Sequence, residues 1–235
     1  MNNVVASEAD LYTTITHCRI CGSAAVSDCM AFGEQYLASN FVDTNEDQPL
    51  AKLRIPLTVV LCDECGLVQL KDTVDRSVLF HNYFYRSGTN PMMQLALKNL
   101  VDDVSRHQAL NKGDYVLDIG CNDCTMLSFF SPDYQRIGVE PATNINWSSI
   151  DESLLIINDF FSPFAVMEST AGNQCTVITS IAMMYSVEDL NIFSQDVKSI
   201  LTPSGVWCIQ VSYFPTLMDK LSFYDVCHDI CTIFH

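Results

Sequence analysis

Val116-Leu117-Asp118-Ile119-Gly120-Cys121-Asn122-Asp123-Cys124 is the stretch that decides the fold. An apolar run ends in an acid, turns on a glycine and then, by this reading, enters a helix. That is how the first strand of an open parallel sheet presents its carboxyl end to a ligand. Downstream, residues 136–139, 154–157, 176–180 and 205–212 are also strand-like, with helical stretches between several of them. The fold class is therefore α/β, a parallel sheet with helical crossovers. Upstream, Asn90 or Thr89 is placed to cap a helix that opens on Pro91. Met93, Leu97, Leu100, Val101 and Val104 recur along one face, so the spacing predicts an amphipathic helix over 91–107.

In such sheets ligands bind beyond the carboxyl ends of the strands. The residues just past each strand are Asp118, Gly120, Asn122 and Asp123 after the first, Glu140 after the second, Asp159 and Phe160 after the third, and Thr179-Ser180 after the fourth. Glu140 suits the two hydroxyls of a ribose, while Asp159 and Phe160 suit the edge and face of an adenine. A dinucleotide and S-adenosylmethionine (SAM) share this layout. A dinucleotide needs three glycines, so that backbone N–H groups can close on its pyrophosphate. Positions 122 and 124 are Asn and Cys. SAM has no phosphate and carries a positive charge, so the loop only has to pass close beneath it, and acids such as Asp118 and Asp123 suit it. The residues favour the methyl donor over NAD, with a plain strand-to-helix turn as the remaining reading.

The N-terminal part reads differently. Cys18-Arg19-Ile20-Cys21 and Cys62-Asp63-Glu64-Cys65 are two C-x2-C knuckles, each followed by a glycine, Gly22 or Gly66. Two intervening residues let both sulfurs face one ion across a tight turn, and glycine supplies the positive φ that the turn needs. Four thiolates predict a closed, structural zinc site that staples a domain with little core of its own. Rubredoxin-like iron and ordinary reduced cysteines are the other readings. Residues 53–61 alternate as a strand, and 67–70 as a second. This predicts a small β-rich, ribbon-like zinc-binding domain over 11–75, with the α/β domain over 76–235.

Composition narrows the partners. There are 28 Asp and Glu against 12 Lys and Arg, a formal charge of −16. Such a chain has no electrostatic grip on nucleic acid or on an anionic lipid surface. No apolar run reaches the length of a membrane span, and Met1–Asp10 lacks the features of a signal peptide. The expectation is a cytoplasmic protein, and its 11 cysteines then read as metal ligands or buried thiols.

Taken in order, several motifs resemble one family. They are Cys18-Arg-Ile-Cys21-Gly22-Ser23, Phe32-Gly33-Glu34-Gln35-Tyr36-Leu37-Ala38, Leu61-Cys62-Asp-Glu-Cys65-Gly66-Leu67-Val68-Gln69-Leu70, Tyr83-Phe-Tyr85-Arg-Ser87-Gly88-Thr89, Val116-Leu-Asp118-Ile-Gly120-Cys-Asn122-Asp123 and Gly138-Val-Glu140-Pro141. Together they resemble the zinc-containing, SAM-dependent sugar C-methyltransferases, which act on nucleotide-linked keto-deoxysugars. The resemblance implies a zinc-stapled N-terminal domain beside a Rossmann-like class I methyltransferase sheet. It also implies a reaction in which a base removes the proton beside a sugar ketone and the resulting enolate attacks the sulfonium methyl.

The departures matter as well. The family has glycine where this chain has Cys124, whose side chain is expected to crowd the approach to the methionine part of the cofactor. A family histidine is matched by Ser186. The family's Tyr-His-Glu-His run reads Cys227-His228-Asp229-Ile230 here. His228 and Asp229 stay as candidate base and orienting acid, with Tyr83 and Tyr85 as candidate substrate or cofactor contacts. The sheet lacks the last strands that the resemblance implies, so the chain is read as an N-terminal fragment or a truncated homologue, active or not. Its open sheet edge is expected to invite a partner chain. The competing class is a non-catalytic, zinc-stabilised binding or scaffold protein derived from a methyltransferase.

Overall fold

The computed structural model describes residues 11–38, 41, 53–222 and 226–234. They form two compact units. The first holds the N-terminal residues to Phe84 together with Tyr185–Leu190 and residues from Val211 on; the second holds Tyr85–Met184 and Asn191–Gln210. Compactness thus divides the chain differently from a single cut after residue 75.

The first unit is antiparallel. Strands β2 (Val26–Tyr36), β3 (Arg54–Cys62), β4 (Val68–Leu70) and β11 (Thr232–Ile233) form a sheet in the order β11-β4-β3-β2. β1 (Tyr12–Thr14) pairs with β5 (Asp72–Val74) in a separate ribbon, and α1 (Arg76–Phe80) follows. β3 and β4 fall where the alternating pattern places them. β3 buries Ile55, Leu57 and Val59 on one face, the set that a strand's two-residue period requires, and Val60 and Cys62 on the other. Residues from Val211 on join this unit because Thr232 and Ile233 pair with Gln69 and Val68. The Cys231 N–H also donates to the Tyr185 carbonyl at 2.7 Å.

The second unit is a parallel sheet of β6 (Tyr115–Ile119), β7 (Gln135–Val139), β8 (Leu155–Ile157), β9 (Cys175–Ile181) and β10 (Leu201–Gln210). Its order is β10-β9-β6-β7-β8, which puts β6 in the middle. This is the Rossmann-like arrangement of the α/β expectation. α2 spans Pro91–His107 with Asn90 as cap; the Asn90 side chain accepts from the Met92 N–H at 3.0 Å. Its buried residues, Leu97, Val101 and Val104, pack in one apolar cluster with Val116, Val177, Leu127 and Phe130. α3 (Pro163–Ser169) and α4 (Leu190–Ile200) follow β8 and β9, and α5 (Phe214–Asp219) belongs to the first unit. Among the described residues no helix is long and apolar enough to cross a membrane.

One expectation is corrected. After Gly120 the chain does not enter an α-helix but turns repeatedly and makes a single 3-10 turn at Leu127–Phe129. Asn122 and Cys124 have φ of 52° and 60°, outside the right-handed helical region. Pro132 biases Ser131 toward extended backbone, so at most a short helix could fit between Cys124 and that point.

Candidate functional site

In the second unit the site is built where β6 and β7 end. Asp118 is 3% exposed, and its Oδ1 accepts the Thr179 hydroxyl at 2.7 Å. Burial pushes its carboxyl up to about 7; the Thr179 hydrogen bond opposes the rise and the neighbouring Glu140 charge adds to it. Glu140 is also buried. Its Oε2 accepts the Asn122 N–H and its Oε1 the Ala142 N–H, both at 2.9 Å. Each oxygen keeps one lone-pair site for a further donor. Desolvation raises the Glu140 carboxyl too, against the pull of those two N–H groups and of Arg86.

The loop between these acids is held from above by a segment of the same unit. Asn122 Oδ1 accepts the Ser87 N–H at 3.0 Å, Asn122 Nδ2 donates to the Tyr85 carbonyl at 3.0 Å, and Asp123 Oδ2 accepts the Gly88 N–H at 2.8 Å. A Cβ at 88 would lie 2.8 Å from Thr125 Oγ1 and 3.1 Å from Asp123 Oδ2, so any larger residue there would push these two side chains aside. Asn122 and Asp123, expected as cofactor contacts, thus also clamp residues 85–88. Ser87 and Gly88 were not singled out individually from the sequence. Their signal is the run of small residues after Tyr85.

Asp159 is exposed, and its Oδ1 accepts the Phe160 N–H at 2.7 Å; Phe160 is half-buried. Asn158 Nδ2 donates to the carbonyls of Glu140 and Ala142 at 2.7 and 3.0 Å, tying this turn to the end of β7. Cys124 does not turn its sulfur over the loop as expected. The residue is 1% exposed and packs in the apolar cluster beneath.

The first unit carries the metal site. The Cys18, Cys21, Cys62 and Cys65 sulfurs all lie within 4.8 Å of one another. The Cys18–Cys65 separation is 3.6 Å and the Cys21–Cys62 separation 3.5 Å. A tetrahedral zinc with bonds of about 2.3 Å needs sulfurs about 3.8 Å apart, so the cluster fits the ion with little adjustment. Each knuckle turn closes on its glycine: the Gly22 N–H donates to the Cys18 carbonyl and the Gly66 N–H to the Cys62 carbonyl. Their φ values are 71° and 81°.

The other candidates also belong to the first unit. His228 is 2% exposed, with Nε2 3.1 Å from the Ile55 carbonyl. Burial pulls its pKa below the ordinary histidine value. Asp229 Oδ1 is buried with no hydrogen-bond partner among the described residues. The Tyr83 ring packs beside Phe80 and Phe84, with centroids 6.0 and 5.6 Å away.

Comparison with known proteins agrees with this layout. The family model described as "Methyltransferase domain" matches residues 92–234, more than half of the chain. The model described as "Putative zinc binding domain" matches residues 18–80. The C-methyltransferase NovU of Streptomyces niveus is 26% identical over 236 residues, covering 96% of this chain and 56% of NovU. The chain therefore spans about half the length of that curated relative. Among solved structures, the plantazolicin methyltransferase BpumL in complex with SAH is 16% identical with a TM-score of 0.48 over 60% of each chain. The precorrin-6y C5,15-methyltransferase of Geobacter metallireducens is 13% identical with a TM-score of 0.40 over 65% of this chain and 78% of its own. By its match over residues 92–234 the chain belongs to the methyltransferase family, with a zinc-binding domain before it.

Proposed function

We propose that the chain is the zinc-binding and cofactor-binding part of a SAM-dependent C-methyltransferase whose substrate is a nucleotide-linked keto-deoxysugar. The observation that carries the reading is the buried pair Asp118 and Glu140 at the ends of adjacent strands, with Asn122 between them bonded to Glu140. Two desolvated carboxylates suit a cationic ligand with ribose hydroxyls, and they oppose a pyrophosphate. The C-methyltransferase activity named for NovU supports transfer to carbon, and the motif resemblance supports the sugar class.

Asp118, Gly120, Asn122 and Asp123 would hold the amino-acid part of SAM, Glu140 its ribose, and Asp159 with Phe160 its adenine. When bound, SAM supplies an electrophilic methyl group. The remaining chemistry is proton removal beside a ketone, for which His228 and Asp229 are proposed. Burial keeps His228 neutral, the form a base requires. Its Nε2 lies 3.1 Å from the Ile55 carbonyl, which can only accept, so in the neutral ring this nitrogen carries the hydrogen. Tyr83 is proposed as a substrate contact.

Incubating the zinc-loaded chain with keto-deoxysugar nucleotides in D2O tests the proton step. Exchange at the carbon beside the ketone, lost in His228→Asn, is the expected result. Absence of exchange in a sample that binds SAH would favour the second reading, a non-catalytic binding protein. That reading has its own observation, the hydrogen bond that already engages His228.

Asp118 gives a pH prediction. In the unfolded chain its carboxyl titrates near 3.8, and in the folded chain near 7. Between those values the folded form holds more protons. This group's contribution to stability therefore falls as pH rises, by about 1.4 kcal/mol per pH unit, and levels off above 7. Melting temperatures from pH 4.5 to 8 should show that slope flattened in Asp118→Asn. A cationic ligand beside Asp118 favours the ionised form, so SAM should release a proton on binding near pH 6.5, seen as a buffer-dependent binding heat.

A further inference from the structure

We propose that Cys121 and Cys124 are an oxidisable dithiol whose disulfide clasps the cofactor loop in its present shape. The two sulfurs lie 3.6 Å apart. The Cys124 N–H donates to the Cys121 carbonyl at 2.9 Å, closing a β-turn, which brings the two Cα atoms within about 7 Å. That range overlaps disulfide geometry, so side-chain rotation can bring the sulfurs to about 2.05 Å. Cys121 Sγ is seated over Gly138, where a Cβ would lie only 2.6 Å from it. Both sulfurs lie in the apolar cluster beneath the loop, so the bond forms on the core side. The Asn122 N–H to Glu140 and the Asn122 and Asp123 contacts to Ser87 and Gly88 then stay in place.

Asn122 and Cys124 both have positive φ, a conformation that costs a non-glycine residue energy. A covalent link across the turn restricts the alternatives to which the loop would otherwise relax. The hydrogen bond from Cys124, burial and the nearby Asp118 and Glu140 charges hold the Cys121 thiol well above its ordinary pKa. The Cys121 thiol thus forms its thiolate reluctantly, and a thiol that is a poor leaving group gives a disulfide that resists reduction.

The oxidant that fits a buried pair is a small peroxide. One thiolate attacks a peroxide oxygen, cleaving the O–O bond, releasing hydroxide and forming a sulfenic acid. The second thiolate attacks that sulfur, forming the S–S bond and displacing hydroxide. The two hydroxides take up the two thiol protons, so one pair of thiols and one hydrogen peroxide become one disulfide and two waters.

The test treats the zinc-loaded chain with hydrogen peroxide, then alkylates it under denaturing conditions and digests it with trypsin. Cutting after Lys112 and Arg136 frees residues 113–136, which hold both cysteines and no other. The expected peptide carries no alkyl group and is lighter than the reduced, unalkylated peptide by two hydrogens. Dithiothreitol should reverse this. The oxidised chain should keep its zinc and melt a few degrees higher than the reduced one, a difference absent in Cys124→Ala. Full alkylation, a sulfinic acid at either position, or an unchanged melting temperature would overturn the proposal. Only the link to a cofactor rests on the function proposed above. SAH binding measured on the reduced sample tests that function separately, because the disulfide and the melting shift do not depend on it.

Discussion

Removing zinc, by a chelator or by Cys62→Ser, is expected to unfold the first unit and abolish its part of the melting transition. Its apolar contacts are divided among small groups, one around Leu57, Val59, Leu70 and Ile233, another around Leu37, Leu53, Ile55 and Val74, and a third around Cys18, Cys62 and Leu67. None of these matches the cluster under α2 in extent. A small domain built this way draws its stability from the metal, and structural zinc binding is worth about 10–16 kcal/mol. Cys62 is fully buried at the end of β3, so its loss also leaves the other thiolates without their ion. Cys29→Ser is the control, since Cys29 is exposed and stands outside the cluster. Circular dichroism with metal analysis reads both variants. An unchanged melt after complete zinc removal would show four ordinary cysteines.

The second large effect is expected at Glu140. Glu140→Ala takes the acceptor from the Asn122 and Ala142 N–H groups together, and each donor left unsatisfied costs about 1–3 kcal/mol. The same change removes the carboxylate proposed for the ribose, so SAH affinity should fall by about 100-fold, or about 2.7 kcal/mol. Glu140→Gln retains one carbonyl oxygen and should lie between Ala and the wild type. Calorimetry and thermal melts separate the two losses. Unchanged SAH affinity in a destabilised Glu140→Ala would place the ribose elsewhere.

The contrast between these units explains what the sequence made legible. α2 was readable because Asn90-Pro91 marks its start and Leu97, Val101 and Val104 keep one face. β6 to β9 were readable as short apolar runs ending in polar residues. β2 was not, because nearly all of it is exposed and an exposed strand leaves no alternation; Met30 and Tyr36 are 51% and 55% exposed. β11 was not either, since its identity comes from pairing with β4 far along the chain. The missing helix after Gly120 depends on backbone angles at Asn122 and Cys124, which residue types only weakly signal.

In the proposed site, the places of Asp118 and Glu140 at strand ends were legible. Their partners were not. Thr179 was seen only as a polar strand end, and the clamp from Ser87 and Gly88 onto Asn122 and Asp123 joins distant segments. The four zinc cysteines were fully legible, because the knuckle spacing itself encodes the turn that brings the sulfurs together.

Whether Asp118, Asn122 and Glu140 hold SAM is read by calorimetric titration of the zinc-loaded chain with SAH and, in parallel, with NADH. SAH should bind at about micromolar concentration, more weakly in Glu140→Ala, and NADH should not bind. No SAH binding by a folded, zinc-loaded sample, or tighter binding of NADH, would contradict that assignment.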